Sequence, residues 1–303
     1  MKYSKIVIPV LVIFFAACST SSEKKEATDQ DVSIEETSEE VTLRLEKLWE
    51  TDTVLTTCES VIYDPEADVL YVSNINGQPL EKDGNGTISQ VDMDGNVVMA
   101  DWITGLDAPK GMGISNGKLY VTNIAELVEV NISDGQITNR WEVADAVFLN
   151  DITVDANGTI YFSDSGTNKV HKLENGEIEE FISGENLNSP NGLFAEDGRI
   201  MLATMGGSNF GYIDLATSEY VVKTDSIGAG DGVAPDGDGH YLVSSWSGEV
   251  FHINGDTWEK TSLLRTEPDS IQSADITYVI DKQMLFVPTF FNNKVVAYRL
   301  IEQ

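Results

Sequence analysis

Six copies of one short pattern run along the chain and restrict its possible folds more than any other feature. Each copy has an alternating apolar stretch, a tight turn rich in Asp, Asn and Gly, and a second apolar stretch. The copies recur every 40 to 43 residues, with 51 between the first two, and begin at Glu59, Lys110, Asn150, Asn191, Asp231 and Ala274. Two further strands fit between successive copies. The pattern therefore predicts an all-β fold, a six-bladed β-propeller with four-stranded blades and few helices.

The ends of the repeat region indicate how the ring closes. From Ala274 to Gln303 there is room for only three strands. The stretch RLEKLWETDTVLTTCES before Glu59 has the same form as the stretch that precedes Asn191. We therefore predict that residues 42–50 form the outermost strand of the last blade, which leaves only short edges unpaired.

The first residues are typical of an export signal. Lys2 and Lys5 precede an apolar run that is too short to span a bilayer as a mature helix. The stretch FFAACSTSS resembles a bacterial lipoprotein signal in which Cys18 is acylated and becomes the mature N-terminus; the alternative is an ordinary secretory signal in which Cys18 is incidental. We predict an exported lipoprotein of the outer membrane, on the periplasmic side or at the cell surface, that contacts the membrane only through its lipid anchor.

Composition gives the remaining domain boundaries and excludes one class of partner. Residues 1–17 are the predicted signal peptide, residues 18–41 an acidic disordered tether with too few apolar residues to fold, and residues 42–303 the propeller. The chain carries 50 acidic and 19 basic residues, for a formal net charge of −31. Such a field repels nucleic acid and attracts cations. We expect a monomer, with Cys58 as its free thiol.

The first residues of the innermost strands converge at one end of the central channel, which we call the mouth. Four of these six positions carry carboxylate or carboxamide oxygens: Glu59, Asn150, Asn191 and Asp231. Oxygen ligands without His or Cys suit a hard divalent cation, calcium first, with magnesium, manganese or zinc as alternatives. Asn-Gly and Asp-Gly are also common turn signals, so a solvated polar channel is the competing interpretation. The turns within the blades fall later, however, at residues 155–158, 196–198 and 236–239.

These residues, with the phrases SPNGLFAEDG and GDGVAPDGDGHYLVSSWSG, resemble the SMP-30/gluconolactonase/LRE-like family of six-bladed propellers. The resemblance covers about residues 42–303 and implies one divalent cation held by Glu59, Asn150, Asn191 and Asp231. It further implies hydrolysis of a lactone or related ester, with Asp231 as the base that deprotonates or positions water. The histidines of the chain, His171, His240 and His252, fall away from the mouth, which argues against the His-assisted mechanism of the more distant paraoxonases.

Six further residues are predicted to contact substrate or to shape the site. Lys110 recognises an anionic substrate or replaces part of the metal charge. Trp246, Phe290 and Phe291, together with Met205, form an apolar wall, for which packing between blades is the alternative. Asp275 is predicted to lie behind the metal ligands. If the last repeat is aligned one residue later, Asp275 instead of Ala274 lies at the rim of the channel. The long first loop, residues 74–86, is a candidate lid.

Propellers also serve as binding platforms, so a second class of function stays open. In that alternative the protein is a non-catalytic, surface-anchored propeller with a structural cation, and its upper face binds a partner or a glycan.

Overall fold

A computed structural model describes residues 42–302, which form six antiparallel sheets of four strands each. The sheets are arranged as the blades of a β-propeller, which confirms the predicted fold class. The predicted signal peptide, Cys18 and the acidic tether lie outside the described residues, and those assignments stay predictions.

The first three blades follow one another along the chain, each with its first strand innermost. Their strands, which follow the outlying β1 (Leu43–Glu50), are β2 (Cys58–Asp64), β3 (Val69–Asn74), β4 (Gly86–Asp92), β5 (Val97–Leu106), β6 (Pro109–Ser115), β7 (Lys118–Asn123), β8 (Glu126–Asn131), β9 (Gln136–Glu142), β10 (Leu149–Val154), β11 (Ile160–Asp164), β12 (Lys169–Glu174) and β13 (Glu177–Ser183).

Blades four and five repeat this order, and blade six has three strands of its own. Their strands are β14 (Pro190–Glu196), β15 (Arg199–Thr204), β16 (Asn209–Asp214), β17 (Tyr220–Asp225), β18 (Gly230–Pro235), β19 (Tyr241–Ser245), β20 (Glu249–Ile253), β21 (Lys260–Arg265), β22 (Thr277–Val279), β23 (Met284–Pro288) and β24 (Val295–Glu302). Helical structure within residues 42–302 is limited to three 3₁₀ turns, Glu185–Leu187, Glu267–Asp269 and Ile280–Lys282.

The last blade is completed by the other end of the propeller sequence. Strand β1 pairs antiparallel with β24, from Leu43 opposite Glu302 to Glu50 opposite Val296. The sheet order is β1-β24-β23-β22, so β1 is the outermost strand. The predicted closure is therefore confirmed, and the two ends of the described chain are joined by a hydrogen-bonded ladder.

The core is divided into clusters that lie between neighbouring blades. Between blades one and six, for example, Leu70 and Val91 pack with Phe286 and Ala297, all fully buried. Similar clusters fill the other blade interfaces. Each fully buried Val, Leu, Ile or Phe contributes about 1.5–3 kcal/mol, so the packed blade faces hold the inner strands at fixed positions around the channel. No helix within residues 42–302 has the length and apolar character needed to cross a membrane.

Candidate functional site

A β-bulge occurs at the start of the innermost strand in each of the first five blades. In blade three, the ladder between β10 and β11 passes from Leu149 to Ile152, so that Asn150 and Asp151 together oppose Ser163. The same shift falls at Glu59, Lys110, Asn191 and Asp231. A bulge breaks the alternation of side chains and re-aims the extra one. The five bulges thereby take Lys110 and the four predicted ligands out of the regular alternation at the start of their strands.

Glycine follows three of these positions and allows the inner strands to approach closely. A Cβ atom added to Gly192 would overlap the carbonyl oxygen of Asp231 in the next blade. Added Cβ atoms on Gly111 and Gly232 would likewise overlap the backbone of blades three and six. Because glycine lacks a Cβ, the backbones at the mouth pack directly against one another, which brings side chains from different blades together.

Hydroxyl groups opposite the bulges connect neighbouring blades. Ser163 accepts a hydrogen bond from the Asp151 amide at 3.0 Å and donates to the Asn191 carbonyl oxygen at 2.9 Å. Ser244 connects Gly232 to the Ala274 carbonyl oxygen in the same way, at 2.8 and 2.7 Å. Thr122 donates to the carbonyl oxygen of Asn150. These bonds fix the spacing between one ligand position and the next.

The predicted ligands are buried together at the mouth, and two of their oxygens have no hydrogen-bond partner. Glu59, Asn150, Asn191 and Asp231 are each at most 5% exposed. The Asn191 amide donates to Asp231 Oδ1 at 3.2 Å, and the Asn150 amide donates to Ser165 Oγ at 3.3 Å. Glu59 Oε2 and Asn191 Oδ1 are unpaired. A buried acceptor without a partner is costly, so these two oxygens are suited to a ligand that accepts electron pairs.

Burial and mutual repulsion raise the pKa values of the carboxyl groups around the mouth. The pKa of Glu59 lies well above its usual value because of burial and of the nearby charges of Asp231 and Asp275, although Lys110 opposes the shift. The pKa of Asp231 is raised by burial and by Asp275. These carboxylates therefore lack sufficient positive charge around them, which a divalent cation would supply.

The predicted ligands would form a mixed carboxylate and carboxamide site. Among residues 42–302, no three His, Cys, Asp or Glu side chains are grouped so that they alone could hold a metal ion. The candidate set has only two carboxylates, so a cation here would also need the oxygens of Asn150 and Asn191 and water. Oxygen donors of this kind fit calcium, magnesium or manganese.

Lys110 is buried at the mouth, and its ammonium is held by backbone carbonyl oxygens. The Nζ atom donates to the carbonyl oxygens of Pro79, at 2.9 Å, and Ala108, at 3.1 Å, and lies 4.7 Å from the ring centroid of Phe148. Burial lowers the pKa of Lys110 to about 8, against the opposing effect of Glu59. Lys110 thus ties the long first loop over the mouth and adds positive charge beside Glu59.

Replacing Lys110 with Met should tighten calcium binding about tenfold or more at pH 7, because the ammonium repels a cation held by Glu59. The difference should shrink above about pH 8, where the wild-type amine loses its proton. Calorimetric titration with calcium at both pH values measures the effect, and Lys110→Arg, which keeps the charge, is the control. Weaker binding by the Met variant would show that Lys110 supports the site through the loop.

A pocket of about 360 Å³ lies over the ligands. Glu59, Lys110, Asn150 and Asp231 line its floor, whereas Asn191 lies outside the lining and contacts Asp231. The predicted wall residues Met205, Trp246, Phe290 and Phe291 all line the pocket. Phe290 is also part of a buried cluster with Ile75 and Ala274. Its side chain therefore both packs in the core and lines the pocket.

Asp151 and Asp275 form a second level of carboxyl groups along the channel. Asp151 accepts the amide hydrogens of Ile152 and Leu193, each at 2.6 Å, and so connects blades three and four. Ser60 donates to Asp275 at 2.5 Å, which connects blades one and six. Burial raises the pKa of Asp275 to about 7. Asp275 is therefore held between two blades, and it lies outside the lining of the pocket that contains Glu59, Asn150 and Asp231.

The histidines and Cys58 lie away from the floor of the pocket. His171 is on β12 and stacks on Phe162, while His252 pairs with Asp236 at 3.0 Å. His240 accepts the Gly255 amide hydrogen at 3.0 Å. Cys58 is buried, and burial raises the pKa of its thiol to about 12, so it is an unreactive core residue.

Sequence reasoning missed the hydroxyls opposite the bulges and the contribution of Phe148 and Ile75 to the pocket. The hydroxyls have a signal, because Ser or Thr recurs near the end of the second strand in the phrases YVSN, YVTN, YFSD and LVSS. Ile75 also has a weak signal, because it recurs as Ile124 in the phrases YVSNI and YVTNI. Phe148 belongs to a loop whose sequence does not repeat between blades, so no pattern identifies it.

Comparison with known proteins shows likeness at the level of structure. No protein-family model matches the chain, and no curated protein matches its sequence. A gluconolactonase of Xanthomonas campestris aligns with a TM-score of 0.66 at 19% identity, over 86% of this chain and 90% of that one. A catalytically inactive virginiamycin B lyase of Staphylococcus aureus, solved with quinupristin, gives a TM-score of 0.59 at 15% identity, over 86% and 100% of the two chains.

A nidogen/laminin complex also contains a similar chain, with a TM-score of 0.60 at 13% identity over 71% of this chain and 86% of that one. At these identities the likeness establishes the fold that the chain shares with these proteins. The resemblance to gluconolactonase-type propellers is therefore confirmed at the level of the fold, and the group of similar structures includes a hydrolase and a lyase.

Proposed function

We propose that the protein is a divalent-metal-dependent hydrolase of a lactone or related ester. The observation that carries the proposal is the pair of buried, unpaired oxygens at the mouth, Glu59 Oε2 and Asn191 Oδ1. They lie in a group with Asn150 and Asp231, from four different blades, beneath a pocket open to a small molecule. Calcium is the cation that this oxygen set suits best.

The residues of the chain have distinct parts in this reaction. A bound cation would polarise the ester carbonyl and stabilise the oxyanion that forms when water attacks. Asp231 lines the pocket and accepts the proton of the attacking water. Coordination lowers the basicity of a carboxylate, whereas burial and the nearby Asp275 raise the pKa of Asp231 and so act in the opposite direction. Water adds to the carbonyl carbon, the acyl C–O bond breaks, and the leaving alkoxide takes the proton from Asp231 to become the alcohol. The new carboxylic acid then releases its own proton to solvent and becomes a carboxylate.

Thermal unfolding with and without calcium tests the cation site directly. Calcium at about a hundredfold excess over its dissociation constant should stabilise the wild type by about 2.7 kcal/mol, which corresponds to a rise of about 5–10 °C in melting temperature. Glu59→Gln should lose most of that rise, whereas Glu66→Gln, in an exposed turn of the same blade, should keep it. Chelation should also abolish lactone hydrolysis.

The absence of a shift with calcium, magnesium, manganese or zinc would contradict the proposal. A binding platform without a bound cation would then be preferred, because apolar side chains exposed around the mouth, such as Phe291 at 55%, suit a bound partner as well as a substrate. We further propose that the protein is exported and anchored through Cys18, for which mass spectrometry of the membrane fraction is the test.

A further inference from the structure

The pocket above the ligands is lined mainly by apolar side chains. Seven of its residues are apolar, Ile75, Pro79, Phe148, Met205, Trp246, Phe290 and Phe291. Three of the rings meet edge to face: Phe290 and Phe291 have centroids 4.7 Å apart, and Trp246 lies 5.5 Å from Phe290. This arrangement gives a stiff aromatic wall on one side of the site.

Three large apolar side chains in or next to the pocket segments are exposed. Leu80, Val147 and Phe291 are 54%, 50% and 55% exposed. Leu80 and Val147 adjoin the pocket residues Pro79 and Phe148 in sequence, and Phe291 itself lines the pocket. Large exposed apolar side chains that adjoin a pocket mark a binding surface more often than chance exposure. Phe291 therefore offers exposed apolar surface to a group that extends out of the pocket.

The walls offer few polar groups for a hydroxylated ligand. Above the floor, Gln78 is the polar side chain in the pocket lining. Lys110 already donates to the carbonyl oxygens of Pro79 and Ala108. A sugar lactone would bury several hydroxyl groups without hydrogen-bond partners, and such burial is unfavourable.

We infer, on the basis of the proposed function, that the substrate is a lactone or ester that carries an alkyl or aryl group, and that Trp246 selects it. The carbonyl lies at the floor beside Glu59, Asn150 and Asp231, and the apolar group packs on the wall of Trp246 and Phe291. The role of Trp246 is specificity, because its ring is part of the wall and not of the oxygen-rich floor.

Hydrolysis of a matched series of lactones tests the substrate class. With calcium present, γ-decalactone should be cleaved with a kcat/KM at least about 100-fold above that for γ-butyrolactone, because its hexyl group is buried in the pocket. D-Glucono-δ-lactone should be a poorer substrate than γ-decalactone. Equal kcat/KM values along the alkyl series, or a preference for the sugar lactone, would overturn the inference.

Trp246→Ala should lower kcat/KM for γ-decalactone about 10- to 100-fold and leave γ-butyrolactone within about threefold of wild type. If the role of Trp246 is purely structural, the variant will lower kcat/KM for both lactones alike, and the assignment of Trp246 to specificity is wrong. Phe181→Ala, which removes a half-buried ring from the outer strand β13, is the matched control and should leave both rates unchanged.

Binding of a ketone separates failure of this inference from failure of the proposed function. In 3-hexylcyclopentanone a CH₂ group replaces the ring oxygen of γ-decalactone, so the compound cannot be hydrolysed. If no lactone or ester is cleaved, the proposed hydrolase is wrong. Even then, an apolar occupant of the pocket would be supported if 3-hexylcyclopentanone binds more tightly than cyclopentanone and the Trp246→Ala variant loses that difference. Equal binding of the two ketones would overturn the inference of an apolar occupant. Calorimetry measures both.

Discussion

Asp231→Asn should lower lactone hydrolysis about 1,000-fold and abolish stabilisation by calcium, while the protein without calcium stays folded. Asp231 is the base of the proposed reaction and one of only two carboxylates among the candidate ligands. The variant is nearly isosteric, and its amide oxygen can still accept the hydrogen bond from Asn191. Rates at a calcium concentration that saturates the wild type, and melting temperatures with and without calcium, measure the two effects.

The pH dependence of the same variant distinguishes a functional from a structural role. The pKa of Asp231 in the folded protein lies well above its ordinary value of 3.8, because the carboxyl group is buried near Asp275. The folded state therefore holds the proton to higher pH than the unfolded chain, and the contribution of Asp231 to stability falls as pH rises above that ordinary value. Without calcium, the free energy of unfolding of Asp231→Asn should equal that of the wild type near pH 4 and exceed it at pH 8.

Asp238→Asn serves as the control, because Asp238 lies in the exposed turn of the same blade. It should change neither the rate nor the response to calcium. If Asp231→Asn unfolds at pH 8 without calcium, the carboxylate is structural and the assignment of a catalytic base is wrong. If it keeps the calcium response, the cation does not bind at the mouth.

The sequence was sufficient to predict the architecture because each blade repeats the same pattern of strand and turn residues. Alternating apolar residues and Asp-Gly or Asn-Gly turns recur at nearly constant spacing, so every blade supports the same interpretation. The closing strand at residues 43–50 could be predicted by counting strands, and its pairing with β24 bears that out. The period also places Glu59, Asn150, Asn191 and Asp231 at the same end of the channel.

The geometry at the mouth could not be predicted in the same way. Side-chain alternation places Asn150 and Asp151 on opposite faces of a regular strand, whereas the bulge turns both residues out of the ladder. The position of Lys110 depends on the carbonyl oxygen of Pro79, in a loop that occurs once. The members of the aromatic wall could be predicted from the loops that follow the second strands, but the edge-to-face contacts between Trp246, Phe290 and Phe291 could not. Contacts between loops of different blades leave no periodic signal in one sequence.

The packing of one glycine gives the largest expected effect on stability. Gly192 follows the ligand position Asn191, and an added Cβ would overlap the carbonyl oxygen of Asp231, a backbone atom that cannot rotate away. Overpacking in a close-packed interior costs about 1–3 kcal/mol and more where backbone must move. Gly192→Ala should therefore destabilise the protein by about 3 kcal/mol and lower the melting temperature by about 6–12 °C.

The substitution should also weaken calcium binding, because separating blades four and five moves Asn191 away from Asp231. In the wild type, Asn191 Nδ2 lies 3.2 Å from Asp231 Oδ1. Gly77→Ala is the matched control: its added Cβ would meet no atom closer than 3.4 Å. Chemical unfolding without calcium measures the free energy of unfolding, and its increase with calcium reports the free energy of calcium binding. A stable Gly192→Ala protein with unchanged calcium affinity would show that the blades can separate at the mouth without disturbing the ligands, and the close approach would then have no part in building the site.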